Sequence, residues 1–181
     1  MKTTPTLETR RLTLFPYTPL QVDNQQVRWL NDPAIVRYSD QRHKKHTYQT
    51  QWEYAKALEM DPKRHGWLIT LNDVGIGTIT ATLGIGRAAD LGILMGSSGD
   101  GTATEAWLAV MNWLLRDQEM LLVTCGCMKE NIPMRLLAQR TGMVLFCHTP
   151  QYYYFECERI DPMLLKAMEK ENGPIAGWGH Q

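Results

Sequence analysis

The sequence has no surplus of charge. Nineteen Lys and Arg residues balance nineteen Asp and Glu, for a formal net charge of zero. The basic excess that draws a chain to a phosphate backbone is missing, so nucleic acid is not an expected partner. Long hydrophobic runs are missing too. No apolar stretch nears the roughly 20 residues that span a bilayer, and the opening "MKTTPTLETRRL" lacks the apolar segment of a secretory signal. The expectation is a cytoplasmic protein with no membrane partner. Cysteine is scarce. Cys125, Cys127, Cys147 and Cys157 show no paired zinc-finger spacing. They read as buried, reduced thiols, and no metal is expected. There is no internal repeat and no low-complexity block. What is there is ordinary: 181 residues, 44% hydrophobic, mean hydropathy -0.33. That is enough chain for one folded domain with a sizeable core.

Residues 11–17 ("RLTLFPY") alternate in polarity and read as a first strand. Residues 19–30 read as a helix broken by "NDP" at 31–33, and 34–46 as irregular chain. Thr47 is placed to cap a second helix that runs to about Met60. Residues 66–71 and 75–83, joined by Asn72-Asp73, form two strands, and 89–96 a third, in an antiparallel meander. Residues 102–117 put Ala103, Trp107, Val110 and Leu114 on one helical stripe. A strand at 121–128 follows, then a helix over 132–141 with Asn131 as its cap and Gly142 beyond its end. "MVLFCH" and "YYYFECE" close as a strand pair. Strands and helices mix without strict alternation, which predicts an α+β fold. Residues 1–160 form the expected single domain; 161–181 read as a C-terminal helix and mobile tail.

"MGSSGDGTATEAW", Met95–Trp107, crowds glycine and serine into a turn that opens a helix. Such a turn presents N–H groups without intrahelical partners at the positive end of the helix dipole, which suits a phosphate or diphosphate. No GK[ST] follows, and Thr104 stands where a Rossmann fingerprint needs its third glycine, so neither nucleotide motif is present. A strand-to-helix connection without a ligand is the alternative. Thr102–Glu105 ("TATE") has the form of a capping box. Arg42, His43, Lys44, Lys45 and His46 make the only dense basic cluster, either a solvated loop or a grip on an anion.

Five segments in order resemble the GNAT acetyltransferase superfamily, nearest its ribosomal-protein-alanine N-acetyltransferase (RimJ/RimL-like) branch: "LETRRLTLFPYT", "VRWLNDPAIVRYSDQRHKKHT", "ADLGILMG", "GDGTATEAW" and "CGCMKENIPMRLLAQRTGMV". The resemblance implies a mixed, mostly antiparallel sheet with its fourth and fifth strands splayed and helices on both faces. It implies acetyl-CoA as co-substrate, its pantetheine arm lying along strand four like an added strand. Ile93, Leu94 and Met95 would supply backbone partners to the arm. Ser98, Gly99, Asp100, Gly101, Thr102, Ala103 and Thr104 would cradle the diphosphate. Asn131 matches the family asparagine that reaches the arm or the amine. The tyrosine that many members place on the last helix as an acid falls at Ala138.

Acyl transfer to an amine needs the amine neutral, hence a base. Asp90, at the family's acidic position beside the notch, is the first candidate. Glu105 is the second, with a helix-capping role as its alternative. His148 and one of Tyr152, Tyr153 or Tyr154 are further acid–base candidates. A backbone amide near Leu94 or Met95 would serve the oxyanion. Tyr38, Arg42, His43 and His46 would wall the acceptor pocket, where cations beside an aromatic suit a phosphate or carboxylate on the acceptor. The expected acceptor is a primary amine: a protein N-terminus, an amino sugar or a small amine. A homodimer is implied at family level only. A non-catalytic module that holds acyl-CoA is the alternative function.

Overall fold

The computed structural model describes residues 4–97 and 101–163. An eight-stranded sheet organises it. The strands are β1 (Leu7–Glu8), β2 (Leu12–Pro16), β3 (Arg64–Leu71), β4 (Val74–Leu83), β5 (Ala88–Met95), β6 (Leu122–Met128), β7 (Val144–His148) and β8 (Tyr152–Cys157). Their spatial order is β1-β2-β3-β4-β5-β6-β8-β7. Neighbours are antiparallel except β5 and β6, which are parallel. The α+β reading holds. β5 is the fourth strand of the sequence reading, moved up by one because the two-residue β1 precedes it.

The β3–β4 turn follows from its residues. Asn72 and Asp73 both take positive φ, 50° and 63°, the conformation that matches a two-residue hairpin to strand twist and that Asn and Asp tolerate.

Alternation along β3 separates two cores. Trp67 and Ile69 join the large one, while Leu68 packs on the small cluster of Tyr17, Val22, Ala55 and Leu58. The large core is built around α4 (Thr102–Arg116), in which Ala106 to Met111 are each no more than 1% exposed. A helix apolar on every side must be covered on every side. The sheet and α5 (Ile132–Arg140) lie against it. On the opposite face α3 (Tyr48–Met60) packs on β3 and α1 (Asn24–Asn31) packs on α3.

Helix starts follow their capping residues. Thr47 and Thr50 bond reciprocally at the head of α3, 3.2 and 3.0 Å. Asn131 Oδ1 accepts from Met134 N at the head of α5, 3.2 Å. Two expectations are corrected. The single helix over 19–30 is a 3-10 turn at Pro19–Gln21 followed by α1, because Thr18 caps the first and Asp23 the second. Residues 34–46 are not wholly irregular: α2 (Pro33–Val36) starts on Asp32, and a 3-10 turn at Asp40–His43 starts on Ser39. The tail expected beyond 161, Trp178 included, lies outside the described residues from 164 onward.

Candidate active site

β5 and β6 pair only over Ala88–Asp90 with Leu122–Thr124. β5 stays with β4 as far as Met95, and β6 stays with β8 as far as Met128. Each strand remains in its own half of the sheet, so the halves part beyond Asp90. A cavity of about 550 Å³ fills the gap. Leu91 to Gly96 line one side of it. Gly126, Cys127 and Met128, with Asn131, Met134 and Leu137, line the other. Ala103 lies at one end, and Arg37, Tyr38, Ser39, Asp40 and Tyr152 are among the residues that line the rest of the wall.

Ala103 belongs to the first turn of α4, whose N-cap is Gly101 at φ 76°, ψ 9°. Glycine adopts that left-handed backbone without strain. The N-cap is Gly101 and not Thr102, so the Thr102–Glu105 capping box is not formed. Glu105 is used elsewhere. It is 1% exposed, and its Oε2 accepts from Arg11 Nε at 2.7 Å and lies 2.6 Å from Arg11 Nη2. Its Oε1 accepts from Thr9 Oγ1 at 2.5 Å and Arg11 N at 3.2 Å. The carboxylate ties the first strands to α4 and lines neither cavity. Ile93, Leu94, Met95, Ala103 and Asn131 do line the notch; Ser98, Gly99 and Asp100 lie outside the described residues.

A second cavity, about 260 Å³, lies on the α1–α3 side of the sheet. Tyr17, Gln26, Trp29, Gln41, Gln51, Tyr54, Thr78 and Thr80 contribute to its lining. It shares Ser39, Gly92, Ile93 and Leu94 with the notch, so the two cavities border the same stretch of β5. Tyr17 Oη donates to Gln26 Oε1 at 2.7 Å, and Gln26 Nε2 donates to Gln21 O at 2.7 Å. Burial, helped by Tyr54 and Asp23, raises the Tyr17 pKa and keeps the phenol neutral.

The structure scatters the remaining candidates. Asp90 is the last paired residue of β5, one short of the notch lining; Thr124 Oγ1 donates to its Oδ1 at 3.1 Å. Asp90 is exposed as a residue, but partial desolvation of its carboxyl raises its pKa, and the Thr124 bond opposes that in part. Tyr38 lines the notch, but Arg42, His43 and His46 line neither cavity. Arg42 Nη1 donates to Ser39 O at 2.9 Å. His46 is buried, with Nδ1 3.1 Å from Gln51 Nε2. His43, Lys44 and Lys45 are exposed, as a solvated loop would have them. His148 is exposed on β7 at the sheet edge. Ala138 is fully buried and lines neither cavity. Tyr152 reaches the notch, whereas Tyr153 lies on the opposite face between the Lys129 and Arg135 cations, 5.0 and 4.9 Å from its ring centre. Sequence reasoning missed Ser39, Asp40 and Gln41. Their only signal was Ser39 followed by an acidic residue, which marks a turn start but no cavity. Among the described residues no cluster of His, Cys, Asp and Glu could hold a metal.

The model of the GNAT acetyltransferase domain matches residues 11–144. The chain belongs to the GNAT acetyltransferase family. Three solved GNAT-like structures share its fold. RimL, a ribosomal L7/L12 α-N-protein acetyltransferase in complex with coenzyme A, is 15% identical with a TM-score of 0.76, covering 86% of this chain and 98% of its own. Mycobacterium smegmatis RimJ in complex with CoA-disulfide is 14% identical with a TM-score of 0.75, covering 90% and 92%. The Campylobacter jejuni N-acetyltransferase PseH, in complex with acetyl coenzyme A, is 13% identical with a TM-score of 0.62, covering 82% and 99%. No curated protein matches the sequence. Among the described residues no helix is long and apolar enough to cross a membrane.

Proposed function

We propose that the chain is an acetyl-CoA-dependent N-acetyltransferase acting on a primary amine: a protein N-terminus, an amino sugar or a small amine. The observation that carries this is the parting of β5 from β6 after three paired residues, around a cavity that reaches Ala103 in the first turn of α4. The notch suits a long, flexible ligand with an anionic end. From Leu91 to Met95 one edge of β5 faces the cavity instead of a strand, and an extended amide-bearing chain can pair with that edge. The head of α4, from Gly101 to Thr104, suits the diphosphate.

Acetyl-CoA supplies an acyl carbon already activated as a thioester. The protein aligns that carbon with the amine and manages protons and charge. The β5 backbone near Leu94 and Met95 is the candidate donor to the oxyanion. Asn131 has its Oδ1 engaged in the α5 cap, so its side-chain amide hydrogens are what it offers the notch. Two carboxylates are candidates to receive the amine proton. Asp90 sits at the closed end of the notch, to be reached through water, and Asp40 lines its wall. The Tyr38 and Tyr152 phenols line the notch and are candidates for protonating the leaving thiolate.

One observation favours a second reading, a module that binds acyl-CoA and turns nothing over: the buried Ala138, which has no phenol to give. Titration of free thiol with acetyl-CoA and an amine panel separates the two. Amine-dependent release above the no-amine rate is expected, and release that never exceeds that rate overturns catalysis. Asp90→Asn and Asp40→Asn identify the base. Removing it should cost roughly 10²–10⁴-fold in kcat while acetyl-CoA affinity holds; wild-type kcat in either variant retires that residue.

A further inference from the structure

We propose that the smaller cavity selects an acceptor whose amine is carried on an uncharged, hydroxylated ring, of the amino-sugar class. This rests on the transferase reading and narrows its acceptor. Three observations support it.

The first is charge. Among the described residues lining this cavity there is no Asp, Glu, Lys, Arg or His. A phosphate or carboxylate entering it would lose water without gaining a cation, a heavy cost in a partly enclosed site. Arg42, His43 and His46, the basic residues expected at the acceptor pocket, line neither cavity.

The second is the chemistry present. Gln41 and Gln51 carry amides and Ser39, Thr78 and Thr80 carry hydroxyls, all able to donate or accept. A ring with several hydroxyls needs that mixture. Tyr54, on α3, adds an aromatic surface of the kind that covers the apolar side of a ring.

The third is size and place. A volume of about 260 Å³ falls under the ~300–1,000 Å³ that holds drug-sized ligands, so a single ring fits better than a run of peptide. The cavity shares Gly92, Ile93, Leu94 and Ser39 with the notch, so an amine on the ring would lie beside the same stretch of β5. An uncharged lining also disfavours the ammonium form relative to the free amine, which is the form that attacks.

The test uses the full chain and keeps two readouts apart. Calorimetry measures acetyl-CoA binding. Thiol release measures turnover with a 2-amino-2-deoxyhexose, the same sugar phosphorylated at a remote hydroxyl, and a short peptide with a free N-terminus. We expect acetyl-CoA to bind and the uncharged amino sugar to exceed both others at least roughly tenfold in kcat/KM. Tyr54→Ala should raise the sugar KM roughly tenfold at unchanged acetyl-CoA affinity, and Tyr54→Phe should restore it. Acetyl-CoA binding with the phosphorylated sugar or the peptide preferred, or with no turnover of any of the three, overturns the acceptor assignment and leaves the coenzyme site standing. Failure of acetyl-CoA to bind overturns the transferase reading and this inference with it.

Discussion

Glu105 is 1% exposed and tolerates burial because Thr9 Oγ1, Arg11 N and Arg11 Nε donate hydrogen bonds to it and Arg11 Nη2 lies 2.6 Å away as an ion-pair partner. Breaking a buried ion pair by removing one partner leaves an uncompensated charge. Arg11→Met should therefore cost about 3 kcal/mol in urea unfolding; a loss under about 1 kcal/mol, the value of a surface pair, would show that water already serves the carboxylate. Asp90 is the reverse case. Its folded pKa is raised, so the folded chain holds this proton more tightly than the unfolded chain does. Its contribution to stability is whole below the unfolded carboxyl range and is lost as pH rises through the folded value. Asp90→Asn cannot ionise, so its Tm relative to wild type should climb from acid to neutral pH; a flat difference would mean the carboxylate is not perturbed. The thiols divide by burial. Burial, with Cys127 and Asp90 nearby, pushes the Cys125 thiol up to about 12, and burial also raises Cys127 and Cys157. Only Cys147 is exposed. One fast maleimide adduct at neutral pH, mapping to Cys147, is expected from native protein. A second fast site would show that β6 or β8 opens.

At the scale of elements, the notch needs β5 to end where it does, and Gly96 shows how closely the next residue is held. A Cβ built there would lie 1.9 Å from Trp29 Cε2, inside the indole of a residue only 7% exposed. Backbone and ring cannot both keep their places. Gly96→Ala should displace Trp29 from the end of β5, costing about 1–3 kcal/mol as overpacking does, and should raise the acceptor KM because Trp29 lines the smaller cavity. Wild-type stability in that variant would show that the Trp29 ring has somewhere else to go. Local signals made many of these elements readable beforehand. Thr47 and Asn131 cap where capping chemistry puts them, and Asn72-Asp73 turns where both residues accept positive φ. The reading failed where two local signals competed. "TATE" offers a good capping box, but Glu105 gains more from Arg11 and Thr9 than from its own helix end. Thr18 and Asp23, five residues apart, each start a helix, and a pattern of apolar spacing over 19–30 does not show the break.

At the scale of the whole molecule, what sequence reasoning lacked was pairing across distance. The Thr9–Glu105 contact spans 96 residues and the Arg11–Glu105 contact 94. The placing of β8 between β6 and β7 has no local cause. The resemblance of five ordered segments supplied the splayed sheet and the notch, since it carried the three-dimensional arrangement that periodicity cannot. It gave less on the acceptor side, where Arg42, His43 and His46 were expected at the pocket: Arg42 and His46 stand behind the lining residues Ser39 and Gln51 that they contact, and His43 is exposed. The notch itself is continuous with the large core: Leu91, Ala103 and Leu137 line it, and Leu91 and Leu137 belong to the same buried cluster as Trp107. A ligand seated there would grip β5, α4 and α5 at once, so its binding free energy should appear in global unfolding rather than in a local loop. At acetyl-CoA a hundredfold above its Kd that is about 2.7 kcal/mol, which for a chain of this size raises Tm by roughly 5–10 °C. Gly101→Glu places a side chain and a negative charge at the head of α4, where φ is 76° and a diphosphate is proposed to sit. It should remove the shift while the far-UV spectrum of the variant still reports a folded sheet. A full shift in Gly101→Glu would move the coenzyme's anionic end away from α4; no shift in the wild-type protein would leave the parted strands without a ligand to explain them.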